Sequence, residues 1–193
     1  MNTIRHLVIS DAVNNSASNS HIAVFIFLLC LSTIASADDL EDQKKKNERC
    51  QTAMSSAETA ASAEDWIRAE KFSKEAIRFC SEGEHTPYDM ADRYSSLAEA
   101  QIELKRYQDA LNTSEQCIDT YYATPNCHYY KVLALLGLKR RNEAKEAGRI
   151  ATVVCNSVLE EKAETWKTVY YVDMLMFRKK EAQRILRYLA IMK

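Results

Sequence analysis

An all-α fold follows from three features of the 193-residue sequence. With only 3 Gly and 2 Pro, the chain has too few turn-formers for a many-stranded sandwich or barrel. Apolar residues make up 47% and charged residues 27%, the balance of a chain that buries a core rather than a disordered one. Both prolines, Pro87 in SEGEHTPYD and Pro125 in YYATPNC, fall between apolar-periodic segments. Those segments run about 12 to 16 residues, an ordinary helix length.

The first element is a leader. The apolar run at residues 22–31 (IAVFIFLLCL) precedes STIASA, whose Ala35-Ser36-Ala37 reads as an A-x-A cleavage site, and then Asp38-Asp39. This order predicts a secretory signal over residues 1–37. The run is shorter than the roughly 20 residues that span a bilayer, so a retained N-terminal anchor is the weaker alternative and the sole route to a membrane. The segment ahead of the run carries Arg5 as its one fixed positive charge, opposed by Asp11, where a short basic stretch is expected. Residues 38–49 are polar without apolar period and read as a solvated lead-in, so the folded domain is expected over 50–193.

From Cys50 onward the chain repeats itself. Ala110 in RYQDALNTSEQCI and Ala144 in RRNEAKEAGRIAT stand 34 residues apart. Ala69 and Ala76 in the phrase EDWIRAEKFSKEAI are seven apart, as are Ala110 and Cys117, and Ala144 and Ala151. Three copies thus share one seam of small residues, at a period typical of stacked helical hairpins.

This pattern resembles the tetratricopeptide repeat family, in which a large aromatic stands at position 4, Leu and a small residue at 7 and 8, Ala at 20 and a small residue at 27. The copy from Ala91 fits best, through Tyr94, Leu97, Ala98, Ala110 and Cys117, with Tyr107 between its helices. The copy from Cys50 has a degenerate first helix, with Ala53 and Ala57, but Trp66, Ala69 and Ala76 fit the second. In the copy from Pro125, Ala144 and Ala151 fit, while Lys131 and Val132 replace the Leu-small pair. A looser fourth unit can be drawn from Ala163, with Trp166 at position 4 and Ala182 at position 20. The resemblance implies an all-α helical-hairpin solenoid of about three to four repeats behind the signal, each pair burying its faces only by stacking on its neighbours.

On that frame the five cysteines left after the leader can be placed. Cys50 opens the first helix of one pair and Cys80 closes the second, and Cys127 and Cys155 repeat the arrangement. Antiparallel helices bring such ends together, so disulfides Cys50-Cys80 and Cys127-Cys155 are expected, with Cys117 as a buried free thiol. An exported chain, periplasmic or extracellular, is the matching compartment.

Chemistry is absent from the motifs. No GxGxxG, Walker loop, GxSxG or HExxH occurs. There is no CxxC, and only His85 and His128 follow the leader, so spacing assembles no zinc set. Asn112-Thr113-Ser114 matches a glycosylation sequon on a helical stretch. Lys plus Arg totals 26 against 27 for Asp plus Glu, leaving a formal charge of −1 and no bulk pull toward nucleic acid. Neither enzyme nor cofactor protein is expected.

What remains is surface. In the family the inner wall is made by the first helix of each pair at positions 2, 5, 9, 12 and 13. Carried over, these are Asp92, Ser95, Glu99, Ile102 and Glu103 in the second copy, and Asn126, Tyr129, Leu133 and Leu136 in the third. A subset of the family clamps a peptide carboxylate with Lys, Arg and Asn in these rows, and the pattern here does not match it. The resemblance implies a non-catalytic scaffold that holds another protein or peptide segment in this groove. The alternative is a self-assembling structural module that dimerises through residues 165–193.

Overall fold

The computed structural model describes residues 19–83, 85–161 and 169–191, with side chains from residue 39, and from residue 175 in the last stretch. Seven helices are present among the described residues: α1 (Asn19–Ser62), α2 (Trp66–Ser81), α3 (Pro87–Glu103), α4 (Tyr107–Thr120), α5 (Pro125–Gly137), α6 (Arg141–Glu160) and α7 (Val169–Ile191). The chain divides into two units, residues 1–43 and 44–193. In the first, residues 19–43 are helical. The expected signal and cleavage site fall where side chains lie outside the described residues. Among the described residues no helix is long and apolar enough to cross a membrane.

The second unit is a stack of three hairpins, residues 44–62 with α2, α3 with α4, and α5 with α6, closed by α7. Each helix from α2 onward packs on the next, and α3, α5 and α7 also touch in series. Helix starts follow local chemistry. Asp65 accepts a hydrogen bond from the Arg68 N–H at the start of α2. Thr86 and Asp89 form a reciprocal capping box, with Pro87 at the first turn of α3. Pro125 likewise opens α5.

The three hairpin turns are copies of one another. Glu64, Lys105 and Lys139 all have left-handed backbone, with φ of 57°, 58° and 61°. Each stands five residues before its seam alanine, Ala69, Ala110 or Ala144. In each, the next N–H returns to a carbonyl five residues back: Asp65 to Ala60 at 2.9 Å, Arg106 to Gln101 at 2.8 Å and Arg140 to Leu135 at 2.9 Å. This closure caps the first helix and reverses the chain.

The seam is buried as the repeat requires: Ala69, Ala76, Ala110, Cys117, Ala144 and Ala151 are all at most 3% exposed. Trp66 packs on Ala60, Ala69 and Ala100. The largest cluster runs from Ala110 and Leu111 through Val132, Leu135, Ala151 and Val158 to Ala182, Ile185 and Leu189.

Three details differ from the sequence reading. Residues 38–49 are helical, although largely exposed from residue 39 as expected of a solvated lead-in, because their Glu, Gln, Lys and Arg side chains favour helix even without an apolar stripe. The fourth unit is no hairpin: Ala182, expected early in a second helix, lies inside the continuous α7, which packs as a single closing helix. Ala163 and Trp166 lie outside the described residues.

The second disulfide also differs. Cys50 pairs with Cys80 across a Cα–Cα distance of 4.9 Å, but Cys117 pairs with Cys127 at 5.7 Å, and Cys155 is the buried free thiol. Cys50 stands 19 residues before Ala69, whereas Cys127 stands 17 before Ala144. Two residues turn a helical side chain by about 200°. Cys127 therefore faces back to Ala91 and Cys117, while Cys155 is enclosed among Val158, Ala182 and Ile185.

Two substitutions test this packing. A Cβ on Gly137 would run into the Tyr107 ring, so Gly137→Ala is expected to cost about 1–3 kcal/mol in urea unfolding. In a Tyr107→Ala background that penalty disappears, giving a coupling measurable by double-mutant cycle. Lys105→Gly relieves a Cβ in left-handed backbone and raises unfolding free energy by about 0.5–1 kcal/mol.

Candidate functional site

A groove of about 830 Å³ opens between the first helices of the hairpins and α7. Gln51, Met54 and Glu58 line it from α1. Tyr88, Asp89, Asp92, Ser95, Ser96 and Glu99 come from α3, with Arg93. Asn126 and Tyr130 come from α5, and Phe177, Glu181 and Arg184 from α7, with His85 at the α2–α3 turn. Residues 51, 54 and 58 repeat on the first hairpin the spacing of 92, 95 and 99 on the second. That spacing is legible in the sequence, beside the alanines at 53 and 57.

The groove is acidic. Glu58, Asp89, Asp92, Glu99 and Glu181 face two arginines, Arg93 and Arg184. Arg93 bonds its neighbour Asp92 at 2.9 Å, and Arg184 bonds Glu181 at 2.7 Å, so Glu58 and Glu99 carry much of the uncompensated charge. Tyr130, 5% exposed, donates its hydroxyl to Glu99. Burial raises the Glu99 carboxyl above its ordinary range, against that hydrogen bond and Arg184. Asp92 is likewise raised by burial despite Arg93. Tyr88 is pushed up to about 12, chiefly by burial and then by Asp92.

Along the same wall, Arg93 Nε, Asn126 Oδ1 and Arg184 Nε are buried without a hydrogen-bond partner. Buried polar atoms are seldom left so. They offer two donors and one acceptor beside the carboxylates.

Of the groove residues expected from sequence, Asp92, Ser95, Glu99 and Asn126 line it together. Ile102, Tyr129, Leu133, Leu136 and Glu103 do not. Tyr129 stacks on Tyr188 of α7 at 5.9 Å, and Ile102 and Tyr129 pack on the main core. Leu133 is partly buried, Leu136 is 38% exposed, and Glu103 is exposed at the end of α3, outside the groove lining. The reason is α7, whose groove-side face brings Phe177, Glu181 and Arg184 where the apolar strip of α5 was expected to stand open.

His128 and Cys155, outside the groove lining, are committed to structure. His128 Nε2–H donates to the Tyr122 carbonyl at 2.8 Å, and burial lowers its pKa. The Cys155 thiol is pushed up to about 11 by burial, too high for a thiolate nucleophile at neutral pH. Asn112 is exposed on α4, while Thr113 and Ser114 beside it are buried.

No protein-family profile matches the sequence, and no curated protein matches it. Solved structures do. The TPR2B domain of yeast Sti1, solved as its pHsp70 complex, superposes with a TM-score of 0.53 at 19% identity, covering 69% of this chain and 98% of that domain. A TPR-like protein from Chlorobium tepidum gives 0.54 at 19% identity, covering 72% and 97%. With its repeated turns and buried small-residue seam, the chain has the tetratricopeptide-like fold.

Proposed function

We propose that the protein is a non-catalytic scaffold that holds a basic polypeptide segment in the groove between its hairpins. The observation that carries this reading is the set of carboxylates Glu58, Asp89, Asp92, Glu99 and Glu181 lining the groove from α1, α3 and α7, with Met54 and Phe177 among them. Such a surface selects Lys or Arg side chains interspersed with apolar ones. Arg93, Asn126 and Arg184 supply partners for the main chain of an extended ligand. The Sti1 domain, which shares the fold, was solved with pHsp70, so a protein or peptide occupant suits this architecture. Residues 1–37 would direct export to the periplasm or the extracellular space, with the disulfides forming there.

Selection from a displayed random peptide library tests the groove. Lys- and Arg-containing sequences with apolar neighbours are enriched on the wild-type chain, and an equal yield of acidic peptides would refute the reading. Glu58→Gln with Glu99→Gln weakens the selected peptide about tenfold at low salt, and less as salt is raised. Glu99→Gln keeps an acceptor for Tyr130, so this variant also loses a buried charge and gains stability at neutral pH.

The pH dependence follows from the raised carboxyls. Glu99 and Asp92 hold their protons more tightly folded than unfolded, so their effect favours the folded state at low pH and fades as pH rises through the folded pKa. A bound Lys or Arg favours the ionised form, so binding releases protons. Peptide affinity, followed by fluorescence anisotropy, therefore rises with pH as these carboxyls ionise, above the ordinary carboxylate range.

A second reading rests on α7, where Met176, Phe177, Tyr188 and Ile191 are 61, 55, 46 and 82% exposed. These apolar groups would let a second copy dock. Light scattering separates the two: a monomer that binds peptide supports the scaffold, and a dimer that dissociates on Phe177→Ser supports self-assembly.

A further inference from the structure

The fold joins three metal-ligating groups that lie apart in spacing. Cys50 comes from α1, Cys80 from the last turn of α2 and His85 from the turn that follows, and their ligand atoms all lie within 4.8 Å of one another. His85 Nε2 is buried and has no hydrogen-bond partner, whereas the other histidine of the repeat region is committed to the Tyr122 carbonyl. Gly83 permits the close approach: a Cβ there would lie 3.3 Å from His85 Nε2 and 2.7 Å from Asn47 Oδ1. The imidazole thus stands over the sulfur pair with its ring nitrogen unspent.

We propose that Cys50, Cys80 and His85 form a site for a thiophilic divalent cation such as Zn²⁺, open when the disulfide is reduced and closed when it forms. A cation held by two thiolates and one imidazole needs ligand atoms about 3.5–3.8 Å apart, from zinc–sulfur and zinc–nitrogen bonds of about 2.3 and 2.0 Å. Parting the sulfurs and drawing the imidazole inward would bring the three ligand atoms, all within 4.8 Å of one another, to that spacing. The fourth position is left to water or to Asn47 Oδ1 beside it.

The two states exchange by balanced steps. A dithiol reductant gives two electrons and two protons to the Cys50-Cys80 bond and itself becomes a disulfide, leaving two thiols. The cation then displaces both thiol protons and binds the two thiolates and His85 Nε2. In the reverse direction, thiol–disulfide exchange with an oxidised dithiol re-forms the bond and expels the cation. The first hairpin is therefore clipped in either state, once by sulfur and once by metal. His85 also lines the groove, so the exchange takes place at the groove's end.

Cobalt titration of the full chain tests the site. After reduction with a phosphine, removal of reductant and exclusion of air, Co²⁺ is added and the thiolate-to-cobalt charge-transfer band recorded. One equivalent is expected to bind with a tetrahedral spectrum, displaced by Zn²⁺, and the unreduced chain shows no band. Cys50→Ser with Cys80→Ser abolishes it while Cys117, Cys127 and Cys155 remain. His85→Ala, a change in a partly exposed turn that far-ultraviolet circular dichroism shows to leave helicity intact, weakens binding by at least about tenfold. A reduced chain without the band, a band surviving loss of Cys50 and Cys80, or undiminished affinity in His85→Ala would each overturn the proposal.

Discussion

The close approach of helix backbones at six small residues is the constraint on which the repeat unit depends. Ala69, Ala76, Ala110, Cys117, Ala144 and Ala151 are buried at helix crossings, and a longer side chain at any of them would push paired helices apart. Close-packed interiors tolerate such insertions poorly. The identical turns at Glu64, Lys105 and Lys139 set where each second helix begins and so bring each alanine into register. Left-handed backbone at three charged residues, rather than at glycine, shows that this register is held by packing on both sides and not by local preference.

Polar ties add direction to a stack that apolar contact alone would leave free to slide. Arg106, at the start of α4, places Nη1 2.7 Å from Oε1 of Glu70 on α2, and Lys131 on α5 reaches Glu115 on α4 at 2.9 Å. The most enclosed tie is Arg178, 3% exposed, which donates to Glu161 and to the Ala123 carbonyl at 2.9 Å and lies over the rings of Tyr88 and Tyr121. Removing one partner of such a buried pair is costly, whereas the intact pair adds little net stability. Its effect is to fix how α7 lies against the loop before α5, and thereby which face of α7 meets the groove.

Periodicity carried the fold class, the seam and the second hairpin, because small residues recur at a fixed step whatever surrounds them. The missing information was rotational. The pairing of Cys117 with Cys127 turns on a two-residue offset between Cys50 and Cys127, which separation along the chain does not express. Half of the groove was legible: Asp92, Ser95, Glu99 and Asn126 follow from hairpin position alone. Tyr129 was expected on the open wall, but it stacks on Tyr188 of α7, an element with no counterpart in the repeat. The meeting of Cys50 with Cys80 followed from hairpin position, whereas His85 joins them only through the path of the turn after α2, which spacing along the chain does not express.

The groove carboxylates explain why this wall differs from the rest of the stack. Elsewhere acidic groups sit in local pairs, as Glu143 does with Arg140 and Glu146 with Arg149, where the arginine lowers the carboxyl pKa. In the groove, burial outweighs the cations and raises Glu99 and Asp92. A neutral side chain at Glu99 would fold more readily, whereas Asp92 is also the partner of the buried Arg93. Uncompensated, half-buried charge facing open space is destabilising for the free protein and becomes favourable once a cation enters, which is the electrostatic form of preorganised binding. The unpartnered donors on Arg93 and Arg184 and the acceptor on Asn126 obey the same logic. Each is an unmet demand in the free chain, and together they describe a ligand with positive side chains and an exposed main chain.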